Sequence, residues 1–218
     1  MLHSHIRPGS VLTFCLVLLL FPGRVPVTQA AGPERIIPNG PDQQRIQAIV
    51  DDFLGRLTMT QKVSVAIVPK NPLMVSVEFD TRDTGFLLSV EEDFVGELTD
   101  EELEAAVAHE LGHVWIFTHH PYLQTELLAN QIAQRLVPRS SLVQVYEKVW
   151  KRQGLSKRLK ENPRDLAGWQ QLMRARMVLG QADQAAAAYR DAARAFAGSP
   201  GDQQALRQAA LGLGVPVR

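Results

Sequence analysis

The run His109-Glu110-Leu111-Gly112-His113 constrains this chain more than any other stretch. Two histidines four residues apart can address one ion only if they share a helix face. Glu110 stands slightly around that helix, where it can hold an attacking water without being a ligand. The preceding residues predict a capped helix. Thr99 is the expected N-cap, Glu102 the returning carboxylate of a capping box, and Asp100, Glu101 and Glu102 suit the positive end of the helix dipole. From Leu103 to Phe117 the stretch is apolar nearly all round, which predicts a central buried helix. Gly112 costs about 1 kcal/mol relative to alanine in a helix interior, so a packing reason is expected for it. A chain with six histidines can carry this pattern by chance. Two histidines and a glutamate inside an apolar helix are nevertheless costly without a use. The expectation is one zinc ion per chain, held by His109 and His113, with Glu110 as the catalytic base.

Zinc in a catalytic site takes a third protein ligand and keeps one position open. His119, six residues after His113, has the spacing of a histidine-only site, but that pattern needs a glycine midway and this chain has Ile116. Glu126 is the stronger candidate. The helix rises about 9 Å from His113 to His119, at about 1.5 Å per residue. A reversal at His120-Pro121 and a second helix, running from Pro121 to about Leu136, would return about 7.5 Å by Glu126. The carboxylate then lies roughly level with His113.

Residues 84–113, together with Glu126-Leu127-Leu128-Ala129-Asn130, resemble the HtpX-type and CAAX-prenyl-protease-type zinc metallopeptidases. That resemblance covers about half of the expected mature chain. It implies zinc ligands His109, His113 and Glu126, catalytic Glu110, and hydrolysis of peptide bonds. Asn130 stands where the family pattern has an aspartate that orients a ligand histidine, and the interval from His113 to Glu126 is shorter than in typical members. The chain thus looks like a stripped-down, soluble relative. Tyr122, Arg139 and Tyr146 are available to stabilise an oxyanion, and the sequence singles out none of them.

The first 30 residues read as a secretory signal peptide. Arg7 precedes an apolar run from Val11 to Phe21, Pro22-Gly23 breaks it, and Thr28-Gln29-Ala30 offers a cleavage site. The run is too short to span a bilayer comfortably. The only cysteine, Cys15, lies inside it, so a chain cut after Ala30 would use neither disulfide nor thiol chemistry. Export without cysteines points to a bacterial periplasm. Removing Arg7 and Arg24 leaves 21 basic and 23 acidic residues, a balance that gives no case for nucleic acid or an anionic membrane as partner.

The expected fold class is α+β. Pro- and Gly-rich residues 31–41 lead into an amphipathic helix, Asp42–Leu57. Val63–Val68, Met74–Phe79 and Phe86–Val90 read as short strands of a small antiparallel meander. The last is either a core strand or an edge able to take an extended peptide by strand addition. A helix over Leu142–Leu159, bent near Gly154, carries bases read as a solvated face. Trp169, Leu172, Gly180, Ala185, Tyr189, Ala192 and Pro200 then resemble a single tetratricopeptide repeat. That places helices over Leu166–Leu179 and Gln184–Phe196, with Asp183 as N-cap of the second, and a further helix over Asp202–Leu213. The organisation expected is a signal at 1–30, a metallopeptidase domain at 31–153 and a helical tail at 154–218. Expected partners are an extended polypeptide substrate and a protein bound by the tail. The competing reading is a catalytically silent, zinc-containing scaffold that acts through that tail.

Overall fold

The computed structural model describes residues 13–15, 40–80 and 84–217. Apart from the backbone of Thr13–Cys15, the segment read as a signal peptide lies outside the described residues, as does most of the Pro- and Gly-rich stretch after it. The fold is α+β. In chain order the elements are β1 (Thr13–Cys15), α1 (Pro41–Arg56), β2 (Val63–Val68), β3 (Val75–Asp80), β4 (Gly85–Glu91), α2 (Glu92–Val95) and α3 (Asp100–His119). There follow α4 (Glu126–Ala133), α5 (Arg139–Arg152), α6 (Leu155–Glu161), α7 (Leu166–Val178), α8 (Ala182–Ala195) and α9 (Pro200–Gly212).

Helix α3 is the axis of the main core. Thr99 and Glu102 form the expected capping box at its start. Every residue from Ala105 to Val114 is buried, because α1, α4, α5 and the sheet enclose the helix. Val50, Phe53, Val77, Leu88, Leu103, Leu111 and Val145 belong to this one apolar cluster. A rim of ion pairs fastens α5 to it. Lys148 donates to the Glu102 carboxylate and the Glu97 carbonyl, and Arg152 meets Glu91 at 3.0 Å. These two bases are therefore structural, and the expectation of a wholly solvated basic face fails for them.

The sheet order is β1-β3-β4-β2. β3 and β4 are antiparallel, but β2 runs parallel to β4, with Val63 opposite Phe86 and Val68 opposite Glu91. The sheet is thus mixed, where the sequence led us to expect an antiparallel meander. The reason lies in the link between β2 and β3, which crosses the end of β4 instead of turning tightly. Asn71 holds that crossing: its amide nitrogen donates to Ser76 Oγ (3.0 Å) and the Ser89 carbonyl (3.1 Å), and its oxygen accepts from the Leu73 N–H. Consequently Phe86–Val90 is the central strand and offers no edge. Thr13–Cys15 pairs with Ser76–Glu78 on the outer side of β3.

Gly154, with φ +65°, breaks the basic helix into α5 and α6. The tail helices α7, α8 and α9 close a second core around Met173, Ala185, Ala192, Phe196, Leu206 and Ala210. Ala175 of α7 and Leu179 just after it join the main core, and Arg176 lies over the Trp150 ring at 4.8 Å. Helix α8 begins two residues earlier than expected, at Ala182, so Asp183 falls within its first turn and Gln181 takes the cap position. Among the described residues, no helix is long and apolar enough to cross a membrane.

Candidate metal centre

The chain reverses after His119 through a 3-10 turn at Pro121–Leu123 and an extended Gln124-Thr125. Thr125 caps α4, its hydroxyl accepting from the Leu128 N–H. Glu126 is therefore the first residue of a helix, where the dipole favours its charge. Glu126, Ala129, Asn130 and Ala133 are buried together on the face of α4 that meets α3. The approach is very close: a Cβ on Gly112 would stand 2.5 Å from the Ala129 carbonyl oxygen. This contact is the packing reason for Gly112. It also sets the height at which Glu126 and Asn130 face the two histidines.

Three donors converge there. His109 Nε2 lies 3.1 Å from Glu126 Oε2, His113 Nε2 lies 3.4 Å from Glu126 Oε1, and the two Nε2 atoms are 3.2 Å apart. Ligand atoms about 2.0–2.2 Å from one ion at tetrahedral angles stand about 3.3–3.6 Å apart, close to this triangle. The opposite ring nitrogens are held from behind. His109 Nδ1 sits 2.8 Å from Asn130 Oδ1, and His113 Nδ1 3.4 Å from Gln124 Oε1. With a metal bound, those acceptors would each take a hydrogen bond from a protonated Nδ1 and leave the Nε2 lone pairs free to ligate. His109, His113 and Glu126 are thus a buried group able to hold a metal ion.

Glu110, next to His109 on the helix, is completely buried and close enough for its charge to act on His113. Among the four, only His113 and Glu126 touch solvent, at 3% and 6% exposure. His119 is not part of the cluster. It is exposed, stacks on Trp115 and uses Nδ1 toward the Trp115 carbonyl. Of the three residues considered for an oxyanion, Tyr122 points outward at 97% exposure and Arg139 donates to the Leu179 carbonyl. Only Tyr146 reaches the site, its hydroxyl 3.4 Å from Glu126 Oε2. The sequence carried no signal for it beyond its place on an amphipathic helix.

The charges are mutually supporting. Burial pushes the Glu126 carboxyl up, but hydrogen bonds from His109 and His113 outweigh it and bring the group to about 2. Burial lowers His113, but Glu126 beside it and the charge of Glu110 carry it above its usual value. Without metal, His113 thus contributes stability that is complete below about pH 6.5 and is lost as pH rises through its elevated value. A metal ion must displace that proton. Metal uptake at or below about pH 6.5 should therefore release a proton, and affinity should fall by about tenfold per pH unit below the His113 value. Calorimetry in buffers of differing ionisation enthalpy checks this; a heat independent of buffer would mean that His113 is already neutral.

No protein-family model, curated protein or solved structure matches this chain.

Proposed function

We propose that the chain is a zinc-dependent endopeptidase of the HtpX and CAAX-prenyl-protease type, acting on extended or unfolded segments of exported proteins. The observation that carries this reading is the triangle of His109 Nε2, His113 Nε2 and Glu126 carboxylate with the Glu110 carboxylate beside it. Two nitrogens and one carboxylate oxygen at tetrahedral spacing suit zinc, and three protein ligands leave a position for chemistry. When bound, the ion supplies Lewis acidity to the attacking water and the scissile carbonyl. Glu110 takes the proton of that water and later delivers it to the departing amine nitrogen. Asn130 and Gln124 keep both imidazoles in the ligating tautomer. The outer edge of β3, packed along α3, would take the substrate as an added strand once a cut after Ala30 removed Thr13–Cys15.

A second reading has one observation in its favour. Exposure of 0–6% across the four site residues is what a structural metal site would show. In that case the tail would carry the function and Glu110 would be dispensable.

The test is zinc content and cleavage of an unfolded protein by the purified chain, beside Glu126→Ala. About one zinc per chain in the wild type, lost in the variant together with cleavage, is the expected result. Full zinc in both would exclude Glu126 as a ligand, and no zinc in either would sink the metal centre.

A further inference from the structure

Asn130 does more than face His109. Its Oδ1 takes the His109 Nδ1 contact at 2.8 Å, and its Nδ2 donates to the Tyr146 hydroxyl oxygen at 3.3 Å. That hydroxyl in turn donates to Glu126 Oε2 at 3.4 Å. His109 and Glu126 are thus joined by a loop of hydrogen bonds running behind the centre. The direction of every bond in it follows from one requirement. A ligating His109 must carry its proton on Nδ1, so Asn130 must present oxygen to it and NH2 to Tyr146. With its oxygen already receiving a donor, Tyr146 can point its own proton only at Glu126. The Tyr146 ring is buried and packs edge-on to His109 at 5.8 Å, which keeps the hydroxyl oxygen between Asn130 and Glu126. Burial first, then the neighbouring Glu126 charge, keep the phenol protonated.

From this loop we propose that Tyr146 is a positioning residue of the metal centre: it fixes the plane of the Glu126 carboxylate, and the amide of Asn130 aims it there. The residue at 130 decides the matter. An aspartate would accept from both His109 and Tyr146 and draw the phenol proton away from Glu126. An amide alone can accept from one and donate to the other. The asparagine is therefore matched to Tyr146. This inference rests on the metal-centre reading above.

The experiment is a double-mutant cycle on the full chain, read by zinc affinity in chelator competition and by the visible spectrum of the cobalt-substituted protein. Tyr146→Phe should weaken zinc binding by about tenfold or more and change the cobalt bands, because Glu126 is then free to rotate. In an Asn130→Asp background the same Tyr146→Phe change should shift affinity by less than about threefold, since the phenol no longer serves Glu126. Wild-type affinity and spectrum in Tyr146→Phe, or equal losses in both backgrounds, would overturn the proposal. Should Tyr146→Phe fail to fold, a fluorinated tyrosine at position 146, a stronger donor of nearly the same shape, decides: shifted cobalt bands support the loop, and an unchanged spectrum refutes it. A wild-type chain that binds neither ion would instead fail the metal-centre reading itself, which this cycle distinguishes from failure of the loop.

Discussion

Glu110→Gln should leave zinc content at the wild-type level and lower hydrolysis of an unfolded protein by about 10²–10⁴-fold. The substitution keeps shape and volume, so the buried helix around it is undisturbed. It removes a carboxylate that is not among the three converging donors, so the ion stays. What it removes is a buried carboxylate beside the cluster, placed to accept a proton from water. The charge of Glu110 also helps to hold His113 above its usual value. In the metal-free variant the His113 titration, followed by NMR, should therefore move down. This second readout separates a Glu110 that truly faces the centre from one buried nearby by chance. Full activity in the variant would end the role of Glu110 as base. A wild type that holds zinc but cleaves nothing would favour the scaffold reading.

The site was legible in the sequence to the extent that it is local. Spacing of four puts His109 and His113 on one helix face, and an antiparallel return brings Glu126 to them. The second helix spans Glu126–Ala133, not Pro121 to about Leu136 as expected, because a 3-10 turn and an extended Gln124-Thr125 carry the chain back before Thr125 caps it. Other features depend on residues far apart in the chain, and no local pattern encodes them. Tyr146 looks like any core aromatic until α5 is packed on α3. Lys148 and Arg152 looked solvated because their partners, Glu102 and Glu91, stand 46 and 61 positions away. The strand order eluded the periodicity for a related reason. Alternation marks which residues are strands, but pairing depends on the path of the β2–β3 link, which buried Asn71 holds across the end of β4. Asn130 is an intermediate case. Its departure from the family aspartate could be read in the sequence, but its meaning could not, because that needs the phenol opposite its amide.

The contact between Gly112 and Ala129 predicts a large effect of a single methyl group on the metal centre. In Gly112→Ala the new Cβ would meet Ala129 oxygen at 2.5 Å, its Cα at 3.0 Å and its carbonyl carbon at 3.1 Å. All three are backbone atoms, so no side chain can swing aside. Helix α4 must move off α3 by about 1 Å to restore ordinary contact. Alanine's better helix propensity returns about 1 kcal/mol, against about 1–3 kcal/mol for forcing the packing apart. The net cost in stability is therefore small to moderate, and the variant should fold. The cost to the metal is much greater. Glu126 and Asn130 both ride on α4, and ligand distances tolerate only about 0.2 Å. Displacing α4 separates the carboxylate from both imidazoles and Asn130 from His109 at once. Zinc affinity should fall by at least about 100-fold, since a ligand and its support are lost together. Gly55→Ala is the matched control: Gly55 is exposed on α1, a Cβ there meets nothing within 4 Å, and metal affinity should not change. Chelator competition on the two variants, with thermal melts in excess chelator, separates ligand geometry from stability. Wild-type affinity in Gly112→Ala would mean that α4 does not set the position of Glu126.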